Sequence, residues 1–178
     1  MTAKHDYVEI VDRFSLVAHK YCTVVDSASS LDRADLLLQI YKILPELIGE
    51  AIRLPTTELN NDDETEETSR PTLPAGTRMN EKERLRLYNL LKEKLGDWDL
   101  YWQVFDPTKD TEAIYGTLAD DMADIYRDLQ EGLVLAATEQ AQPADIIWEW
   151  RVGFYSHWGK HAMDALRTIH FRLEDTLC

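Results

Sequence analysis

The residues with the greatest capacity for chemistry are His157 and His161, spaced H-x-x-x-H, with Asp164 one turn further along in WEWRVGFYSHWGKHAMDALRTIH. On a helix advancing 100° per residue, Trp150, His157, His161, Asp164 and Thr168 fall within about 60° of one another. Two imidazoles one turn apart can chelate a divalent ion and a carboxylate on the same face can add an oxygen. His157, His161 and Asp164 therefore form a candidate metal-ligand set. Glu149, Ser156, Lys160, Arg167 and Glu174 occupy the solvent arc, so the histidines sit at the edge of the buried one. A histidine in that position is also explained by hydrogen bonding within the packing. His170 falls on the opposite side of the helix.

A second constellation, Asp120, Asp124 and Asp128 in LADDMADIYRDL, stacks three carboxylates at i, i+4 and i+8, where they could bind a metal or supply a general base. The apolar arc of the same segment, Leu118, Met122, Ile125, Leu129 and Leu133, is centred about 150° away, so the expectation is that the aspartates face water. Asp120 and Asp121 also suit the first turn of a helix, at the positive end of its dipole. Asp124 and Asp128 lie beyond that explanation. The tryptophans, Trp98, Trp102, Trp148, Trp150 and Trp158, read as core and helix packing before they read as a ligand cage. Glycine-rich phosphate loops, G-x-S-x-G and H-E-x-x-H are absent from the sequence.

These residues need helices to position them. Tyr7, Ile10, Val11, Phe14, Val17, Ala18, Tyr21, Cys22 and Val25 repeat at helical spacing and predict a first helix from about Asp6 to Val25. A second is expected from Leu31, capped by Ser30, with Pro45 kinking it. A third runs from Asn80 to Leu95 with Gly96 as its stop. Thr117 begins the fourth, spaced T-x-x-D to Asp120, and Gln142-Pro143 opens a fifth that reaches Leu173 without a breaker. DWDLYWQVFDP is too short to decide between a helical turn and an extended piece. Residues 55–79 contain almost no large apolar side chain and are expected to form a mobile, disordered acidic loop between the second and third helices. The expected fold is all-α, a single-domain bundle of about five main helices spanning 1–178.

Thirty-three acids against 19 bases give a net charge of −14, which argues against nucleic acid or anionic lipid as partners. Glu58, Asp62, Asp63, Glu64, Glu66 and Glu67 contribute six of those acids in one stretch without a base. Cys22 and Cys178 form no C-x-x-C pair and read as reduced thiols. No signal peptide or membrane span is visible, because acids, Pro45, Gln39 and Lys42 interrupt the greasiest segments. A cytoplasmic location is the expectation.

The strings VFDP, LADDMADIYRDL and WEWRVGFYSHWGKHAMDALRTIH resemble the bacterial domain-of-unknown-function family 5063. Tyr21-Cys22 and Leu44-Pro45 are similar to the family's opening helices. The resemblance implies a small all-helical cytoplasmic protein and supplies no mechanism. It matches Asp120, Asp121, Asp124, Asp128, His157, Trp158, Gly159, His161, Arg167 and His170, which favours one site joining two helices.

The leading expectation is a binding module without catalysis, taking a protein or small molecule between the helices at 117–139 and 143–174. Asp124, Asp128, Trp150, His157, Trp158 and His161 are the candidate contacts. The alternative is a metal-dependent hydrolase using the His/Asp cluster. A weaker third is an acidic mimic of nucleic acid. No organic cofactor is called for, and a divalent metal is the one group these residues could hold.

Overall fold

The computed structural model describes residues 7–57, 78–138 and 141–177, the last three by backbone alone. Most of the expected acidic loop, at 58–77, lies outside the described residues. The elements are α1 (Tyr7–Asp26), α2 (Arg33–Arg53), α3 (Glu81–Leu95), β1 (Leu100–Val104), β2 (Ala113–Thr117), α4 (Leu118–Ala136), α5 (Pro143–Gly153) and α6 (Gly159–Leu177). A π-helical turn, Phe154–Trp158, joins α5 to α6, and Gly153, Phe154 and Gly159 all keep right-handed helical angles. The fifth helix is thus one rod with a wide turn inside it.

Local chemistry sets most boundaries. Asn80 and Glu83 form a reciprocal capping box on α3, and Gly96 ends that helix at φ +56°, where a Cβ would be strained. The cap of α2 is Asp32, accepting from the Asp35 amide, and the expected Ser30 bonds back to Ser27 instead. At α4, Thr117 accepts from the Asp120 amide while buried Asp99 accepts from the Ala119 amide. DWDLYWQVFDP divides into a 3₁₀ turn, Gly96–Trp98, and strand β1. Antiparallel β2 pairs with it in the register Trp102↔Tyr115. This hairpin is the departure from an all-helical chain.

Helix α4 is the hub, touching α1, α5 and α6 on one side and α3 on the other. Its burial therefore extends round most of its circumference, from Met122, Ile125 and Leu129 to Asp121 and Asp124. The expectation that the aspartate stripe faces water is corrected here. A helix's apolar arc locates its main core contact but says nothing of a second helix laid over its polar side. In this fold α3 is that helix.

Candidate metal centre

Helix α4 brings its carboxylates against the π turn and the first turn of α6. His157 Nδ1 bonds Asp128 Oδ2 at 2.8 Å, and His161 Nδ1 bonds Asp121 Oδ1 at 2.8 Å. Ionised carboxylates only accept, so Nδ1 carries the proton in both rings and each Nε2 is left free for a different partner. Both Nε2 atoms turn toward Asp124 Oδ2, at 3.9 Å from His157 and 3.6 Å from His161. Ligand atoms of Asp124, His157 and His161 all lie within 4.8 Å of one another. An ion bound at about 2.0–2.1 Å in tetrahedral geometry separates its ligands by about 3.4 Å, so the two edges from Asp124 need contraction of up to about half an ångström and the edge between the imidazoles up to about 1.4 Å, within reach of side-chain rotation.

The surroundings hold these three groups in place. Arg84 of α3 reaches across α4, its Nε to Asp124 Oδ1 and its Nη2 to Asp120 Oδ1, each at 2.6 Å. Arg127 Nη2 approaches the same Asp124 oxygen at 3.3 Å. Asp124 therefore spends Oδ1 on guanidinium groups and presents Oδ2 to the histidines. Tyr101 of β1 donates to Asp121 Oδ2 at 2.7 Å, completing the chain Tyr101–Asp121–His161. The four carboxylates named here (Asp120, Asp121, Asp124, Asp128) outnumber the two guanidiniums (Arg84, Arg127), and Asp164 adds a further acid nearby, so the net charge of the cluster is of the sign that attracts a cation.

The electrostatics follow from burial and these contacts. Burial pushes the Asp121 carboxyl up to about 6, although hydrogen bonds from His161 and Tyr101 oppose it. Burial pulls the His161 imidazole down, but the Asp121 hydrogen bond and the charges of Asp121, Asp124 and Asp120 outweigh it and raise its pKa. For Asp124, burial is outweighed by Arg84, Arg127 and His161, which hold the carboxyl below its ordinary range. Without a metal, this field favours a second proton on His161 Nε2, directed at Asp124. A metal ion would take the place of that proton.

The residues singled out in the sequence meet different fates. His157, His161, Asp124 and Asp128 come together. Asp164 is half-buried and is not among the residues whose ligand atoms converge; three residues along α6 turn it about 60° from His161, and Asp124 arrives from α4 instead. Trp150 and Trp158 are both 1% exposed and stack near Phe14 in the core behind the site. Trp102, expected in the core, is 57% exposed. His170 is clear of the site, bonded to the Tyr41 hydroxyl at 2.9 Å. Arg84 and Tyr101 were not legible beforehand, because nothing local ties an arginine of α3 or a tyrosine of β1 to α4. Arg127 was within reach, being i+3 from Asp124.

The π turn did leave a trace in the sequence. Buried positions up to its first residue (Ile146, Ile147, Trp150, Phe154) and from its last (Trp158, Ala162, Ala165, Ile169, Leu173) form two stripes. At 100° per residue these stripes are offset by roughly a quarter turn, and one inserted residue realigns them. Gly159 permits the wide turn: its amide bonds the Phe154 carbonyl five residues back. A Cβ at position 159 would overlap that carbonyl oxygen and lie 2.9 Å from the Phe154 ring.

Residues 5–174 match the family model described as Domain of unknown function (DUF5063). The chain belongs to this family. The match takes in every residue of the cluster, from Arg84 to His161. A solved structure, the crystal structure of protein BF1032 from Bacteroides fragilis, a structural-genomics target, is similar at 25% identity with a TM-score of 0.71, covering 90% of each chain. A comparison with curated proteins finds no match. Among the described residues, no helix is long and apolar enough to cross a membrane.

Proposed function

We propose that this DUF5063 domain binds one divalent transition-metal ion through Asp124 Oδ2, His157 Nε2 and His161 Nε2. The observation that carries this reading is the paired use of Nδ1. Each histidine is oriented by its own carboxylate, Asp128 or Asp121, in the carboxylate–histidine–metal pattern, and both free nitrogens converge on a third carboxylate. Two imidazoles and one carboxylate suit zinc, iron(II) or manganese better than calcium or magnesium.

Three protein ligands leave open positions on the ion. His157, whose side chain is 37% exposed, also lines a cleft of about 450 Å³ together with Asp128, Arg127, Arg78, Trp148 and Ser156. Water on such an ion is acidified toward neutral pH, so metal-assisted hydrolysis of a ligand in the cleft is the reaction class the site would support. The structure that favours this over a module without metal is the convergence of Asp124 with the histidines. An ion-pair network made only for stability has no need to aim both Nε2 atoms at one oxygen.

The test is metal analysis of the full chain purified without a histidine tag, followed by titration of the stripped protein with Zn, Mn, Ni and Fe(II). The expected result is one ion per chain and a raised melting temperature, both lost in His161→Ala. Asp121→Asn should weaken binding by about 10–100-fold while leaving the ligands in place. Absence of stoichiometric metal together with an unchanged melting temperature for all four ions would refute the proposal.

A further inference from the structure

A groove between β1 and α6 takes no part in the metal site. Leu100 and Trp102 of β1 form one wall, and Arg167, Phe171 and Arg172 of α6 the other, around a cavity of about 280 Å³. Its apolar side chains are exposed: Leu100 49%, Trp102 57% and Phe171 58%. Trp102 also stacks on Tyr115 of β2, itself 59% exposed, with centroids 3.8 Å apart, so the indole is held in place. Three aromatic side chains of about 150–250 Å² each, more than half exposed, present roughly 350 Å². On a monomer, a patch of that size is commonly a binding surface.

The two arginines of the groove are the unusual part of it. Arg13, Arg33, Arg53, Arg78, Arg84 and Arg127 each pair with a carboxylate. Acids outnumber bases by 33 to 19, yet among the described residues Arg167 and Arg172 have no carboxylate partner. Arg167 lies over the Phe171 ring, 5.4 Å from its centroid, and Arg172 donates from Nη2 to the Leu100 carbonyl at 2.7 Å. Each contact orients a guanidinium and leaves most of its five donors free. Asp164 and Glu174, the acids that flank the groove along α6, form an ion pair with neither. Two oriented, unpaired cations therefore border an exposed aromatic floor.

We infer that this groove docks an extended acidic segment of a partner protein, with carboxylates on Arg167 and Arg172 and an aromatic or leucine side chain against Leu100, Trp102 and Phe171. Charge complementarity selects the occupant. An acidic segment supplies the carboxylates these arginines lack, in the bidentate geometry a guanidinium favours. Spacing selects the extended form: five residues of helix set the two arginines about 7.5 Å apart along α6, close to the about 6.8 Å between alternate residues of a strand. The residue between two such acids turns the other way, toward the β1 wall and Trp102. At about 0.1 M salt the Debye length of about 10 Å screens the chain's distant acids and leaves the two arginines to act on what lies in the groove.

The probe is the blocked peptide Gly-Glu-Phe-Glu-Leu-Glu-Gly, titrated into the full chain at about 0.1 M salt with a chelator present, so that its acids meet no free metal. Nitrogen-15 NMR of the five tryptophan indoles reads the position, with the Trp102 signal assigned from Trp102→Phe and the Trp148 signal from Trp148→Phe. The expected result is a saturable shift of the Trp102 signal with a dissociation constant on the order of 100 µM, while the Trp148 signal, from the cleft beside His157, stays in place. Arg167→Glu and Phe171→Ser, both at exposed positions, should each weaken binding at least about tenfold with an unchanged melting temperature. Replacing the three glutamates of the peptide by glutamine should do the same. Four results would each overturn the inference: no Trp102 shift at about 2 mM peptide, a shift of Trp148 instead, equal binding of the glutamine peptide, or a Trp102 response to phosphatidylserine vesicles alone.

Discussion

Gly159→Ala sets two physical effects against each other, and the π turn decides which wins. In an ordinary helix interior, alanine is favoured over glycine by about 0.5–1 kcal/mol. At position 159 the new methyl would overlap the Phe154 carbonyl oxygen and press the Phe154 ring at 2.9 Å. The wide turn is flanked by buried Phe154 and Trp158, so the backbone cannot relax without moving core side chains. Overpacking of this kind costs about 1–3 kcal/mol, enough to reverse the propensity gain. For a chain of this length each kcal/mol shifts the melting temperature by about 2–4 °C, so a fall of several degrees is expected. The control is Gly49→Ala on α2, where the added methyl meets nothing closer than Arg53 Nη1 at 3.5 Å. That variant should melt at or slightly above wild type. His157 lies inside the π turn and His161 beyond it, so Gly159→Ala should also weaken metal binding at least tenfold, the usual cost of disturbing a ligand's support. Calorimetry of both variants and zinc titration check this. A melting temperature for Gly159→Ala equal to or above wild type would refute the argument from the π turn.

Zinc at a hundred times its dissociation constant should stabilise the protein by about 2.7 kcal/mol, readable as a rise of roughly 5–10 °C in scanning calorimetry. Because His161, whose pKa is raised by Asp121 and Asp124, must release its Nε2 proton to bind an ion, that shift should shrink as pH falls through the raised pKa of His161. Tyr101→Phe removes the donor to Asp121 from a buried position; a loss of about 1–2 kcal/mol is expected in denaturant melts, and no loss would mean the Tyr101–Asp121 bond contributes nothing. Burial, reinforced by the charge of Asp26, pushes the Cys22 thiol up to about 12. Its thiolate fraction at pH 8 is therefore on the order of a thousandfold below that of a free cysteine, and peptide mapping after alkylation should find Cys22 unlabelled until the chain unfolds. Since its folded pKa is raised, the Cys22 contribution to stability is present below the unfolded value and is lost as pH rises toward 12.

Helical periodicity, caps and breakers act within a few residues, and for that reason α1, α3 and the start of α4 could be read from the chain. The H-x-x-x-H spacing of His157 and His161 was legible for the same reason, as was the stacking of Asp124 and Asp128. What the local pattern could not supply was the second neighbour of α4. Its apolar arc correctly marked the side facing α1, α5 and α6 but was silent about α3, which covers the other side and carries Arg84 to Asp120 and Asp124. The carboxylate that meets the two histidines is likewise Asp124 of another helix and not Asp164 of the same one, because only helix packing determines which carboxylate faces the free nitrogens. The offset between the apolar stripes carries the quarter-turn correction at Phe154–Trp158, but phasing 143–173 as one straight helix passes over it; the wide turn is one that Gly159 allows and core packing on both sides requires. Sequence determined which side chains could do chemistry and which helix face each would occupy; tertiary structure alone decided which faces meet, since contact between helices depends on groups distant along the chain.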